Sequence, residues 1–164
     1  MGTSKSNNVT RVFTDGACSG NPGIGGWAFV LLTNEKVHKV SGHALKTTNN
    51  RMELLAVIRA LRYAKAYGLT HIHICSDSAY VVNAITKGWL MSWKNSDWMK
   101  SDGTPVKNSD LWKRLYFYLY TFQGFEQVSF IKVKGHSGNH FNEMADALAK
   151  DEVKKGRQKD GTCN

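Results

Sequence analysis

Cysteine is scarce in this chain, and its spacing excludes the usual cysteine-based architectures. Only Cys18, Cys75 and Cys163 are present, and no two of them form a Cys-x-x-Cys pair. An odd set of this kind argues against a disulfide framework and favours a reducing compartment. The chain also has no run of about 20 apolar residues, and its polar first eight residues have no apolar core of a secretion signal. We therefore expect a cytoplasmic protein with no membrane association.

Internal repeats and low-complexity tracts are also absent from the 164 residues. This length predicts one compact domain, which the pattern along the chain places at residues 9–153, with disordered polar segments at 1–8 and 154–164. We also expect a monomer. Acidic residues are outnumbered 13 to 22 by lysine and arginine, which gives a net charge of +9. Such a charge fits a polyanionic partner such as nucleic acid. The alternative is that the excess lysine only maintains solubility.

Although acidic residues are few, four of them lie in apolar surroundings. Asp15 and Asp77 each end a strand-like run, while Glu53 and Asp146 lie within apolar helical segments. A buried carboxylate without a partner is costly, so such a group must be protonated, paired or bound to a cation. If the four side chains converge, they form an oxygen-only site for a hard divalent cation such as Mg²⁺.

The order of the predicted elements indicates a mixed α/β sheet with helices on its faces. Three closely spaced strands are expected to be antiparallel neighbours, and strands alternate with helices thereafter. If the first and fourth strands are parallel neighbours, Asp15 and Asp77 emerge at the edge where open α/β sheets bind ligands. The strands are predicted at 9–15, 26–32, 36–42, 70–76 and 128–134, and the helices at 51–67 (capped from 48–50), 78–87, 110–122 (capped by Asp110) and 139–153.

Two further segments are compatible with nucleic-acid binding. Residues 16–23 are rich in glycine but contain no Gly-Lys-Ser/Thr, so they cannot form a Walker P-loop. They allow a phosphodiester strand to approach closely, or they are an ordinary loop. A loop-rich segment at 88–108 combines Trp89, Trp93 and Trp98 with several lysines. The tryptophans either grip nucleic acid or form a small satellite core.

The histidines have two competing interpretations each. His136, in a glycine-flanked loop, is either a proton shuttle beside a metal site or an ordinary surface histidine. Strand alternation places His71, His73 and Cys75 on one face, as a zinc site requires. No fourth ligand follows from the sequence, so we interpret that segment as an ordinary strand.

Together these motifs resemble those of the type 1 ribonuclease H family over residues 9–153. The resemblance implies a ribonuclease H-like fold, with a five-stranded mixed sheet of order 3-2-1-4-5 flanked by helices. It also implies an endonuclease that hydrolyses the RNA strand of RNA/DNA hybrids with two Mg²⁺ ions, for which Mn²⁺ can substitute, and leaves 5′-phosphate and 3′-hydroxyl ends. The motifs are Thr14-Asp15-Gly16, Thr48-Asn49-Asn50-Arg51-Met52-Glu53, Ser76-Asp77-Ser78-Ala79-Tyr80, Pro105-Val106-Lys107-Asn108, Lys134-Gly135-His136 and Asn142-Glu143-Met144-Ala145-Asp146.

The same resemblance implies roles for individual residues. The metal-binding carboxylates are Asp15, Glu53, Asp77 and Asp146, and His136 is the catalytic loop histidine. Residues 88–108 correspond to a substrate-gripping handle. The implied substrate-binding residues are Gly16, Cys18, Asn21, Asn49 and Asn50 along the minor groove, Lys46, Thr48 and Asn108 around a DNA-strand phosphate, and Trp89 and Trp93 along the DNA strand.

Two departures from the family pattern are visible. Ala79 stands where bacterial relatives often carry a glutamine that touches RNA, and Asp97 and Asp102 offset the lysines of the handle. The rival functions are a non-catalytic nucleic-acid-binding module, which usually lacks a metal ligand, and a DNA-cutting or integrase-like nuclease on the same fold. The complete carboxylate set and the Asn49-Asn50-Arg51-Met52-Glu53 motif favour the hybrid nuclease.

Overall fold

A five-stranded sheet forms the centre of the fold, with the strand order β3-β2-β1-β4-β5. The computed structural model describes residues 9–34, 36–134 and 139–160. β1, β2 and β3 are antiparallel neighbours, whereas β4 is parallel to both β1 and β5. The predicted mixed sheet and its order are confirmed. The strands are β1 (Thr10–Cys18), β2 (Gly23–Leu32), β3 (Val37–Thr47), β4 (His71–Ser76) and β5 (Gln127–Lys132).

Helices cover both faces of the sheet. Two adjacent residues of β1 illustrate this arrangement. Val12 packs in an apolar cluster with residues of the first helix, and Phe13 packs in a second apolar cluster with residues of the last helix. Alternation along a strand sends neighbouring side chains to opposite faces. The helices are α1 (Asn49–Ala66), α2 (Ala79–Thr86), α3 (Trp89–Asn95), α4 (Ser109–Tyr116), which continues as a π-helical turn over Phe117–Thr121, and α5 (His140–Lys159).

Two glycines permit the close packing of helices on the sheet. A Cβ atom on Gly16 of β1 would collide with the backbone nitrogen of Glu53 in α1. A Cβ atom on Gly26 of β2 would collide with the carbonyl oxygen of Ala149 in α5. Because only glycine lacks a Cβ, these positions set how near the two helices lie to the central strands.

The first strands are longer than predicted. The pairing of β1 with β2 continues through Gly16↔Trp27 to Cys18↔Gly25, so the predicted loop at 16–23 shrinks to 19–22. β3 likewise extends past residue 42, and Thr47 still pairs with Gly23. Turn-forming residues suggested loops here, but ladder hydrogen bonds to β2 keep the backbone extended.

The helix starts confirm one predicted cap and correct another. Thr48 is the N-cap of α1, and its side chain accepts a 3.3 Å hydrogen bond from the Arg51 amide. Asp110 was predicted to cap α4, but the helix begins earlier, at Ser109, after the N-cap residue Asn108 with φ 61°. Asp110 therefore lies inside the first turn. Asp110 is held by the Arg51 guanidinium instead. The handle also contains α3, where the sequence predicted only loop.

The end of α5 is the largest correction. The sequence predicted a helix end at residue 153 and a disordered tail, but α5 continues to Lys159. Glu152 is buried and accepts hydrogen bonds from Ser41 (2.9 Å), while His43 of the same strand lies 3.0 Å from its other oxygen. Burial acts to raise the pKa of Glu152, but its bonds to His43, Ser41 and Lys155 together hold that pKa below its usual value. Residues 1–8, 161–164 and His136 lie outside the described residues.

Candidate active site

Three carboxylates converge at one edge of the sheet. Asp15 lies in the buried part of β1, and Asp77 follows β4; the parallel register pairs Thr14 with Ser76 directly before them. Glu53 reaches the same place from the first turns of α1, next to Gly16. One oxygen from each of the three carboxylates lies within 4.8 Å of the others. The predicted convergence of these residues is therefore present in the structure.

Burial and mutual repulsion make this cluster electrostatically unfavourable without a cation. Burial, followed by the charge of Asp77 and the carboxyl of Asp146, raises the pKa of Asp15 to about 7. Burial and the charges of Asp15 and Asp77 likewise raise the pKa of Glu53. Within the described residues, Glu53 Oε2 is buried without a hydrogen-bond partner. A divalent cation would satisfy that oxygen and relieve the repulsion, so the donor set fits a hard metal ion.

Asp146 completes the set from α5. Its carboxyl is close enough to Asp15 for a hydrogen bond, and it also forms a 2.9 Å ion pair with Lys150 one turn later. Asp146 thus borders the three-carboxylate cluster from the opposite face of the sheet to Glu53. The structure brings together all four carboxylates that the sequence singled out. The position of His136 relative to them lies outside the described residues.

An open groove of about 540 Å³ lies on the α1 side of the carboxylates. It contains most of the predicted substrate-binding residues, but Gly16, Lys46, Trp89 and Trp93 do not line it. Lys107, which the sequence offered only as one of several handle lysines that could contact phosphates, also lines it and directly precedes Asn108 in the quoted motif. The lining residues are Cys18, Gly20, Asn21, Thr48, Asn49, Asn50, Lys107 and Asn108.

A hydrogen-bond network fixes Asn108 at the edge of this groove. Its side-chain amide donates to the Tyr80 hydroxyl (3.1 Å), and its oxygen accepts from Arg51 (3.3 Å). Arg51 also binds Asp110 through two hydrogen bonds of 2.9 and 2.7 Å, which lower the pKa of that carboxyl. The indole of Trp112 donates to the same Tyr80 hydroxyl (3.0 Å). Sequence reasoning missed this network, because its members come from separate helices.

The handle tryptophans divide between the two predicted roles. Trp89 is 41% exposed, and the Lys87 ammonium lies 5.5 Å from its ring centre. Trp93 is partly buried and packs against the fully buried Trp112, with ring centres 5.2 Å apart. Trp98 packs edge-on against Tyr116. Trp89 therefore offers a surface to a partner, while Trp93 and Trp98 also hold the handle onto the core.

The histidines of β4 have local partners. His73 hydrogen-bonds to Ser129 on the neighbouring strand (2.7 Å), and His71 lies 3.4 Å from Glu126. Cys75 is a buried free thiol whose pKa is raised by that burial. These contacts fit the interpretation of the segment as an ordinary strand.

Comparison with known proteins gives a consistent result. The RNase H family model matches residues 7–154. A ribonuclease H of Thermoanaerobacter sp. (strain X514) is 48% identical over 147 residues, covering 90% of this chain and 91% of that protein. The structure is also similar to LC9-RNase H1, a type 1 RNase H with the type 2 active-site motif (TM-score 0.76, 27% identity, 91% of this chain and 74% of that one).

A second solved structure, LC11-RNase H1 in complex with an RNA/DNA hybrid, shares the fold at 20% identity (TM-score 0.66, covering 89% of this chain and 97% of that one). The family model spans nearly the whole chain, and the Thermoanaerobacter relative matches it over nearly its whole length. The shared fold and the converging carboxylates agree with both matches. This chain belongs to the ribonuclease H family.

Proposed function

We propose that this chain is an endonuclease that hydrolyses the RNA strand of RNA/DNA hybrids at the carboxylate cluster. The observation that carries the proposal is the convergence of buried Asp15 and Glu53 with partly buried Asp77 at the sheet edge, beside an open polar groove. The net charge of +9 suits a polyanionic substrate. Relatives named ribonuclease H and the hybrid complex of LC11-RNase H1 support the substrate class.

Asp15, Glu53, Asp77 and Asp146 are the residues that would hold two Mg²⁺ ions, with Mn²⁺ as a substitute. The Asp15 carboxyl interacts with those of Glu53, Asp77 and Asp146. It is therefore our candidate for the ligand shared by both cations. When bound, the cations stabilise negative charge on the attacking and leaving oxygens of the phosphodiester. The unpartnered Oε2 of Glu53 supports its assignment as a ligand.

The groove residues would select RNA. Asn49 and Asn50 lie at the start of α1, and each side-chain amide can both donate to and accept from a ribose 2′-hydroxyl. Cys18 and Asn21 also line the groove. Thr48, Lys107 and Asn108, which line it as well, would hold a phosphate of the DNA strand. Gly16 contributes by letting α1 approach β1, and Lys46 remains a predicted phosphate contact.

Other parts of the proposal depend on the sequence. His136 is assigned a proton-transfer role at the leaving oxygen, and the products are expected to carry 5′-phosphate and 3′-hydroxyl ends. Action in the cytoplasm is supported by the free thiols of Cys18 and Cys75, and a monomer stays a prediction. Among the described helices, none has both the length and the apolarity that a membrane crossing requires.

A single cleavage assay tests the proposal against its rivals. The purified chain is incubated with labelled RNA/DNA hybrid, duplex RNA, duplex DNA and single strands, with Mg²⁺ or with EDTA. We expect cleavage of the RNA strand of the hybrid only, and only with Mg²⁺. Binding of hybrid without cleavage would indicate the non-catalytic module, and cleavage of duplex DNA would indicate an integrase-like nuclease. Analysis of the product ends checks the 5′-phosphate.

A further inference from the structure

A second open cavity, of about 490 Å³, lies on the other side of Asp77 from the groove. It is lined by Asp77, Lys132, Val133 and Lys134, at the end of β5. In the sheet, β4 lies between β1 and β5, so Asp77 separates this cavity from the groove beside α1. The carboxylate cluster therefore has open space on both sides.

The backbone fixes the position of these lysines relative to Asp77. Lys132 pairs with Ser76 across the parallel strands, and the Val133 amide donates a 2.9 Å hydrogen bond to the Ser76 carbonyl. Val133 itself packs against the apolar cluster under α5. This anchored residue leaves Lys132 and Lys134, on either side of it, exposed towards the cavity.

The two ammonium groups are available for a ligand. Within residues 9–34, 36–134 and 139–160, neither Lys132 nor Lys134 forms an ion pair, in contrast to Lys150 and Lys155. Asp77 also lines the cavity, but neither ammonium forms an ion pair with it, so two lysine charges stand beside one carboxylate charge. The excess positive charge attracts an anion, and an ammonium is a standard phosphate contact. Because the cavity shares Asp77 with the carboxylate cluster, an anion bound there is adjacent to the strand that the cluster cuts.

We propose that Lys132 and Lys134 form a phosphate-binding subsite for the RNA strand, next to the scissile phosphate and across Asp77 from the groove. This inference rests on the proposed hybrid substrate. The groove beside α1 and the lysine cavity hold the substrate on opposite sides of the cluster, so the RNA strand is fixed on both sides of the bond that breaks. Such fixation favours a productive alignment of the reacting phosphate.

The first test measures affinity and its salt dependence. Asp15→Asn serves as a common background to prevent cleavage, and hybrid binding is followed by fluorescence anisotropy over a range of salt. We expect the pair Lys132→Ala and Lys134→Ala to weaken binding about three- to tenfold. The slope of log affinity against log salt should fall by about one to two units, since about one unit is lost per phosphate contact.

Lys36 supplies the matched control. It is exposed in the β2–β3 connection, directly before Val37, which pairs with Leu32. Leu32 in turn pairs with Arg11 near the start of β1, so Lys36 lies towards the opposite end of the sheet from the carboxylates. Lys36→Ala should leave the affinity and the slope almost unchanged. The pair Lys132→Arg and Lys134→Arg, which retains both charges, should bind as the background does. A loss in the alanine pair no larger than that of Lys36→Ala would overturn the proposal.

The second test identifies the strand. Single linkages of either strand are replaced by uncharged methylphosphonates, with 2′-O-methyl nucleotides at the modified RNA positions and 2′-O-methyl alone as the control. We expect one or two RNA-strand replacements near the cleavage site to weaken binding to the background protein but not to the alanine pair. If the replacements that weaken binding to the background protein but not to the alanine pair lie on the DNA strand, the assignment to the RNA strand is wrong. Failure of the proposed function itself appears separately, as absence of hybrid cleavage by the unmodified chain with Mg²⁺.

Discussion

The Tyr80 hydroxyl accepts two hydrogen bonds, one from the Asn108 amide at 3.1 Å and one from the Trp112 indole at 3.0 Å. Trp112 is fully buried, whereas Asn108 lines the groove beside the carboxylates. The hydroxyl thus connects a rigid core residue to a groove residue whose backbone is left-handed at φ 61°. Together with Arg51, which binds the other end of the amide, it sets which way the Asn108 N–H groups face.

Tyr80→Phe tests this connection. The substitution leaves two donors without their acceptor, and each lost hydrogen bond of this type costs about 1 kcal/mol. We expect a lower melting temperature and a KM for hybrid about three- to tenfold higher, with kcat nearly unchanged. Steady-state kinetics and thermal unfolding check both effects. Tyr118→Phe is the control, because the Tyr118 hydroxyl makes no hydrogen bond among the described residues. An equal effect of both substitutions would contradict the positioning role.

Asp15→Asn should abolish cleavage but stabilise the cation-free protein. The pKa of Asp15 is about 7 in the folded state and near 3.8 when unfolded, so the folded protein binds the proton more tightly. Stability is therefore lost as the pH rises from about 4 to about 7. Asparagine removes that loss, and at pH 8 in EDTA we expect a melting temperature at least about 2–4 °C above that of the unmodified chain. The difference should shrink as the pH is lowered towards 4.

Mg²⁺ provides the complementary measurement. At pH 8 it should raise the melting temperature of the unmodified chain, because cation binding offsets the repulsion among the carboxylates. It should raise that of Asp15→Asn much less. Asp97→Asn, an exposed substitution in the handle, is the matched control and should respond as the unmodified chain does. Equal Mg²⁺ responses of Asp15→Asn and Asp97→Asn would show that the cluster does not bind the cation.

Trp89→Ala should weaken hybrid binding with little change in its salt slope. Trp89 is the exposed ring of the handle, and stacking or packing on a nucleotide contributes without neutralising a phosphate. Trp93→Ala should weaken binding too, but it should also lower the melting temperature, because Trp93 packs on buried Trp112. Anisotropy over a salt series, with thermal unfolding, separates the two contributions. A large fall in slope for Trp89→Ala would mean that the handle acts mainly through charge.

His136→Ala should slow cleavage without eliminating it. The carboxylates can still bind their cations, and a positioned general acid or base typically contributes about 10²–10⁴-fold. We expect a loss near or below the low end of that range, measured as kcat with saturating hybrid and Mg²⁺. Cleavage as deficient as that of Asp15→Asn would require a more direct role for this histidine. Addition of imidazole, which can carry the proton in its place, should partly restore the rate.

The predictable parts of the structure are those with a local cause. Asp15 and Asp77 could be brought together from sequence, because parallel strands end at a common edge. The Thr48 cap follows from a hydroxyl before an apolar helix. The contacts of Arg51 with Asn108 and Asp110 could not be predicted from the sequence. These residues lie 57 and 59 positions from Arg51, and the contacts depend on how α4 packs on α1. The extension of α5 depends on Ser41, 111 positions from Glu152.

Because Thr14 pairs with Ser76, the carboxylate cluster keeps its geometry for as long as the central strands stay paired. Asp15 and Asp77 each follow a fully buried residue of a central strand, so their spacing changes only when those strands part. Central strands commonly exchange their amide hydrogens only through global unfolding. Heating or denaturant should therefore leave cleavage competence intact until the whole domain unfolds. Fraying at the handle should alter substrate affinity well before it alters the reacting centre.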